Sequence, residues 1–265
     1  SVRVAEVHGS VWSGVTMRDV QVVLPDLRIG VREARADLAL APLWRGALRL
    51  RQLQASGVRV ARVPTTDDAG PSAVPDLPDL RVDALQIDDV EVVQGESRWS
   101  ADRIDARLAM RAASVTIDAL RVAAPQGRID GTLVLDLRRD LPLHSARLAI
   151  DVTLDGQRYA GGLEARTERG RTGLTLAVQS PLLAVVALSD VRDIDEWQAH
   201  VEVPQQQWND TPIAASLRGQ TKAGAVRVQG SAAVADLRIA AIDGAARIGD
   251  TAIDIAPTTL DLATP

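Results

Sequence analysis

The side chains able to do chemistry are few and scattered. His8, His144 and His200 are the only histidines in 265 residues, and none stands at a metal-ligand spacing such as HExxH. Each reads as a surface or strand-end residue. There is no cysteine, which excludes a disulfide framework, an iron–sulfur cluster and a thiolate zinc site. Asp151-Val-Thr-Leu-Asp155-Gly156 ends in an Asp-Gly corner but lacks the DxDxDG spacing of a calcium loop, so a hairpin turn is expected there. Gly161-Gly162, Asp130-Gly131 and Asp243-Gly244 also read as turn dipeptides rather than phosphate cradles, because no helix follows them. Neither GxSxG nor GxxxxGK occurs. Catalysis needs a titratable group with partners placed to tune it, and no such pattern is visible. The chain is expected not to be an enzyme, and no metal or cofactor is expected.

The elements that would position any site are built from an aliphatic composition: 46% of residues are hydrophobic but only 2% aromatic. A charged fraction of 25% with a net charge of −5 fits a well-solvated surface and argues against a nucleic-acid partner, which would favour a basic excess. Residues 1–62 hold ten arginines and five acids, a formal +5 that leaves −10 for the remainder. Arginines so scattered solvate strand faces, although a basic leading end also suits anionic head groups. Trp12, Trp44, Trp99, Trp197 and Trp208 are widely spaced, which favours structural roles over an interface or membrane anchor. The longest apolar stretch, Pro181 to Leu188, falls far short of the roughly 20 residues that cross a bilayer. The opening Ser1-Val2-Arg3-Val4 already alternates like a strand, as if cut from a longer chain.

Apolar residues recur at period two, the pattern of half-buried strands. Runs include Ile104, Ala106, Leu108 and Met110, then Ile129, Leu133, Leu135 and Leu137, then Leu148, Ile150, Val152 and Leu154, then Leu174, Leu176 and Val178. No segment of 12 or more residues sustains a helical apolar stripe, so the fold class is all-β. Helical exceptions are expected only as a single turn over Pro42–Gly46 and over Pro181–Leu188. Val63 to Asp79 carries four prolines and no periodicity and reads as a loop. The domain reading is residues 1–63 as a first β segment, 64–79 as a proline-rich linker and 80–265 as the main repetitive part.

Several strands change parity in mid-run, with the pattern apolar-x-apolar-x-x-apolar-x-Val. It occurs at Val15, Met17, Val20, Val22, at Leu53, Ala55, Val58, Val60, at Leu85, Ile87, Val90, Val92, and at Val115, Ile117, Leu120, Val122. One extra residue flips the following side chains to the other face, so each copy needs a bulge or a corner to keep its apolar set on one side. The copies begin 38, 32 and 30 residues apart, which predicts stacked units in a bent or coiled sheet growing along one axis. A conventional sandwich with shared bulges is the alternative.

The first sixty residues carry a particular order of features: Val7-His-Gly-Ser-Val-Trp12-Ser-Gly-Val-Thr-Met-Arg-Asp-Val20, the alternating Leu27 to Leu40, Ala41-Pro-Leu-Trp-Arg-Gly-Ala-Leu-Arg-Leu50, and Leu53-Gln-Ala-Ser-Gly-Val-Arg-Val60. A proline-bearing gap and a restart at Leu77-Pro-Asp-Leu-Arg-Val-Asp-Ala-Leu-Gln-Ile87 follow. Over about residues 1–155 this resembles the N-terminal periplasmic region of the TamB family, the inner-membrane component of an outer-membrane translocation and assembly module within the AsmA-like superfamily. The Gly-Ser-Val-Trp-Ser-Gly start also resembles type II secretion protein N. The family's anchor helix and its C-terminal domain are not in this sequence.

That resemblance implies a periplasmic location, an elongated β groove with an open apolar concave face, and phospholipid acyl chains as cargo between two membranes. It also implies tethering to the inner membrane through the missing anchor, and contact with a TamA-like outer-membrane barrel through the missing C-terminal region. The strand faces supply a candidate lining: Leu108, Ile117, Leu120, Leu133, Leu135, Leu148, Ile150, Val152, Leu154, Leu174, Leu176 and Val178. Sixteen or so strands at about 4.8 Å spacing would make a trough of roughly 75 Å. Two readings of another class stand beside this one. One is a scaffold for outer-membrane protein assembly by strand addition, and the other a structural solenoid such as an adhesin stalk.

Overall fold

The computed structural model describes residues 2–10, 12, 14–23, 27–62, 79–95, 97–138, 142–193, 196–222, 225–248, 253–255 and 259–263. The protein is all-β. Two compact units, Ser1–Pro142 and Leu143–Pro265, are each built from strands that pair with their neighbours in sequence. The proline-rich expectation at 63–78 lies outside the described residues.

The first unit holds β1 (Val2–Ser10), β2 (Gly14–Val23), β3 (Leu27–Ala39), β4 (Leu48–Arg62), β5 (Leu80–Gln94), β6 (Ser97–Arg111), β7 (Ser114–Ala124) and β8 (Gly127–Asp136). Every successive pair is antiparallel except β4 and β5, which run parallel. A parallel pair cannot close with a tight turn, because the chain must return along the length of the strand just built. Fifteen-residue β4 is about 50 Å long at about 3.3 Å per residue. The 17 residues from 63 to 79 reach about 56 Å at the same rise, which accounts for a connection of this length. Between β3 and β4, Ala41–Arg45 forms a 3-10 turn, the helical turn expected near Pro42.

The parallel pairing also explains the 32-residue repeat. Leu53 lies beside Leu85, Ala55 beside Ile87, Val58 beside Val90 and Val60 beside Val92, so two copies of the motif stand side by side in register. At the parity change the second middle residue is left-handed in all four copies: Asp19, Gly57, Asp89 and Ala119 have φ of 50, 62, 57 and 50°. The physical device differs between them. From β2 to β6 no residue is inserted at this level, since Arg18 pairs with Glu33 and Val20 with Val31, Ser56 with Asp88 and Val58 with Val90, Asp88 with Arg103 and Val90 with Ala101. Five strands turn a corner together. At Ala119 the register does shift against both neighbours, so β7 carries a true bulge.

The second unit is an antiparallel meander of β9 (Leu143–Leu154), β10 (Gln157–Glu168), β11 (Arg171–Ser180), β12 (Ala184–Asp193), β13 (Glu196–Trp208), β14 (Thr211–Lys222), β15 (Ala225–Val234) and β16 (Leu237–Ile248). The short strands β17 (Ile253–Ile255) and β18 (Thr259–Ala263) both pair with β16. Asp155-Gly156 is the expected hairpin turn: both residues have positive φ and join Leu154 to Gln157. Arg169-Gly170 and Asn209-Asp210 turn in the same way. Ser189-Asp190 in β12 is a fifth left-handed corner of the same kind, with Asp190 at φ 55° and Val186, Leu188 and Val191 around it; the missing terminal valine hid it from the motif.

Several sequence expectations fail. Gly161-Gly162, Asp130-Gly131 and Asp243-Gly244 lie inside β10, β8 and β16, not at turns. Glycine in a strand marks close backbone approach. A Cβ on Gly161 would run into the carbonyl of Ala177 at a register shift, and Gly131 faces Leu120 beside the β7 bulge. Pro181–Leu188 is not helical either, because Ala184 already opens β12. The Gln206 carboxamide holds the lead-in by accepting from Leu183 N at 2.8 Å and donating to Leu183 O at 2.7 Å, as a neighbouring strand would.

Candidate functional site

Residues directly opposite in a ladder share a face, so the registers give the lining without reference to cargo. In the first unit one transverse row is Leu38, Leu50, Val82, Leu108, Ile117 and Leu133, and the next is Leu48, Leu80, Met110, Val115 and Leu135. Beyond the corner runs Val20, Val31, Val58, Val90 and Ala101. In the second unit Leu148, Leu163, Leu176, Val186, Val201 and Leu217 form a row, flanked by Ala165, Leu174, Leu188 and Ala199. None of these rows contains a charged residue.

The corners keep the rows on one face. Ala55, Ile87 and Ile104 precede the parity change and Val58, Val90 and Ala101 follow it, yet they pack in one cluster that also takes in Leu120, Val122 and Ile129. A second cluster gathers Ala36, Leu50 and Val82 with Leu38, Leu53, Leu80, Leu85 and Leu108. The packing is shallow. Among the described residues no large side chain is fully buried, and the most enclosed apolar groups are Val82 and Ala101 at 2% exposure. Inward-facing leucines of a two-layer sandwich would be sealed; among the described residues Leu50 is buried, while Leu38, Leu108, Leu133, Leu148, Leu163 and Leu176 are only half-buried.

Of the twelve lining candidates, eleven are half-buried and Leu154, at the β9–β10 turn, is 50% exposed. Leu108, Ile117, Leu120, Leu133 and Leu135 share the apolar face of the first unit. Leu148, Ile150, Val152, Leu154, Leu174, Leu176 and Val178 share that of the second, joined through Leu148–Leu163–Leu176 and Ile150–Gly161–Val178. Residues missing from the candidate set are those on strands before, between and after them: Leu53 and Leu85, Leu163, and Val186, Val201 and Leu217. The repeated motif pointed to the first two, whereas the others needed the pairing.

The opposite faces carry the charge, mostly neutralised in pairs. Asp83 receives Arg49 and Arg81, both at 2.8 Å, and these two hydrogen bonds hold its carboxyl below the usual carboxylate value. Glu91 takes Arg59 at 2.7 Å and Arg98 at 3.0 Å. Arg158 grips Asp151 through two nitrogens and Arg103 grips Asp105 likewise, which raises both guanidinium pKa values. His8 sits 3.4 Å from Glu6 and His200 3.3 Å from Glu202. The three histidines are not brought together. Among the described residues no group of three or more His, Asp or Glu is placed to hold a metal ion, and no helix is long and apolar enough to cross a membrane.

The arrangement sets an uncharged aliphatic face in each unit against a reverse face whose charges are largely paired. No protein-family model, curated protein or solved structure matches the chain.

Proposed function

We propose that the protein shelters phospholipid acyl chains on its apolar sheet faces, as a periplasmic segment of a TamB-like or AsmA-like bridge between two membranes. The observation that carries this reading is partial exposure along uncharged rows: Leu148, Leu163, Leu176, Val186, Val201 and Leu217 all keep part of their surface open, as do Leu108, Ile117, Leu133 and Leu135 in the first unit. The order of motifs over residues 1–155 supports the family assignment. The cargo-bearing residues are those of the lining, Leu108 to Leu135 in the first unit and Leu148 to Val178 in the second.

Energetics define the task. Sheltering about 14 methylenes at about 0.8 kcal/mol each is worth roughly 11 kcal/mol relative to water, and a bilayer offers nearly the same. Transfer between membrane and sheet is then almost neutral, and the face acts by removing the aqueous barrier while the head group stays in water. Directed flow requires energy from elsewhere.

Mass spectrometry of the purified chain, together with titration by a fluorescent acyl probe, tests this. Co-purified phospholipid and saturable probe binding are expected. Absence of both, with binding of an extended strand peptide instead, would establish the assembly-scaffold reading.

A further inference from the structure

The apolar face of the second unit differs at its two ends. A meander sends alternate turns to the same end, so the β9–β10, β11–β12, β13–β14 and β15–β16 connections share one end of the sheet and the β10–β11, β12–β13 and β14–β15 connections the other. Among the described residues, the large apolar side chains that this unit leaves exposed all lie at the first end, from Leu154 and Tyr159 at 50% and 38% to Val234 and Leu237 at 50% and 53%. Its buried side chains all lie at the second: Ala146, Ala165, Thr167, Thr172 and Thr221, at 4–8%. Simple fraying would expose both ends alike. Register puts the two sets on one face, since Ala165 and Thr167 continue from Leu163 at period two, Thr172 precedes Leu174 and Leu176, and Tyr159 opposes Val152 two residues before Leu154.

The enclosed end has its polar groups satisfied. The Thr167 hydroxyl donates to Leu143 O, and Thr167 Oγ1 accepts from the Thr172 hydroxyl at 2.8 Å. Thr221 Oγ1 accepts from Trp197 N at 3.1 Å. With their hydroxyls engaged, these threonines have only methyl groups left to offer a hydrocarbon. A Cβ on Gly219 would stand 3.8 Å from the Trp197 ring, so that ring lies over the glycine and adds cover beside Thr221.

We propose that an acyl chain enters the second unit methyl first at the Leu154–Leu237 end, runs along the strands and stops against the Thr167–Thr172 row, with its head group left in water outside the exposed end. This rests on the acyl-chain reading above and adds to it a direction and a stop. From Tyr159 to Thr167 strand β10 advances about 27 Å, against roughly 15 Å for the hydrocarbon of one bilayer leaflet, so the face is long enough for a whole chain. A polar head group cannot lead, because the uncharged rows offer it no partner. Beyond the threonines stand ion pairs, Arg171 with Asp190 at 3.0 Å and Arg166 with Glu168 at 2.9 Å, which a methyl terminus gains nothing by reaching.

The test is photo-cross-linking of the wild-type chain with two fatty acids, one carrying a diazirine beside the carboxylate and the other beside the terminal methyl, followed by peptide mass spectrometry. The methyl-end probe is expected to label peptides around Ala165, Thr172 and Trp197, and the carboxylate-end probe those around Leu154, Tyr159 and Leu237. Labelling in the reverse order, or equal labelling of both ends by both probes, overturns the inference and leaves acyl-chain sheltering in place. Absence of any labelling that unlabelled fatty acid competes away overturns the sheltering reading and this inference together. Uptake kinetics give an independent measure at two surface positions. Tyr159→Asp should slow uptake of a fluorescent acyl probe about tenfold, since the chain must strip the new carboxylate of water to pass. Arg169→Asp, in the β10–β11 turn, should leave uptake unchanged. Equal effects of the two substitutions, or the opposite pattern, overturn the proposed entrance.

Discussion

Replacing Leu176 by aspartate separates folding from binding, because the two demand different things of the same side chain. Leu176 lies in mid-row between Leu163 and Val186 and keeps only part of its surface open. Folding therefore loses most of the burial value of a leucine, roughly 2 kcal/mol. The open face lets the new carboxylate remain hydrated, so no further desolvation cost is added in the empty protein. An acyl chain laid across the row would strip that hydration without supplying a partner, which costs about 3 kcal/mol at the lower end for an uncompensated polar group. At 1.4 kcal/mol per decade, binding should weaken about 100-fold. Probe titration reads the affinity, and a urea midpoint reads stability on the same samples. Thr175→Asp, on the exposed reverse face, should change neither. The reasoning is refuted if Leu176→Asp binds the probe as wild type does. It is refuted equally if the variant unfolds as a charge at enclosed Val82 would make it, since the face would then be a packed core.

Two further expectations concern the corner and the charged face. Gly57 has φ +62°, and a Cβ there would lie 2.9 Å from Arg32 Cβ, so Gly57→Ala should destabilise by about 1–2 kcal/mol in a urea melt. In an Arg32→Ala background the contacts with Arg32 Nε and Cζ are removed while the Cβ contact and the left-handed backbone part remain, so only a fraction of the loss should be recovered, a difference read by a double-mutant cycle. Asp83 has its carboxyl lowered by Arg49 and Arg81, so its contribution to stability is present at neutral pH and is lost as pH falls from the ordinary value of 3.8 towards the folded-state value. Acid unfolding of Asp83→Asn followed by circular dichroism should show a weaker dependence on pH in that range.

Strand identity was legible because period-two patterning reports directly on a sheet with one wet and one dry side. The corner positions were legible for a related reason. A strand that changes parity while keeping its apolar residues must bend, and Asp19, Gly57, Asp89 and Ala119 do adopt the left-handed conformation that the bend requires. Whether the bend was a bulge or a concerted corner depended on the neighbouring strand, which local patterning does not contain. Glycines misled for the same reason: Gly131 and Gly161 answer to backbone on adjacent strands, not to their own segment.

The amino-acid sequence by itself determined that the protein is all-β, aliphatic and free of recognisable catalytic patterns, since composition and periodicity are local properties. Only the tertiary structure decided that β4 and β5 run parallel, that the motif copies stand in register, and that many of the aliphatic row residues are only half-buried. Those are matters of long-range pairing and of what fails to pack above a face. A residue's neighbours along the chain carry no record of either.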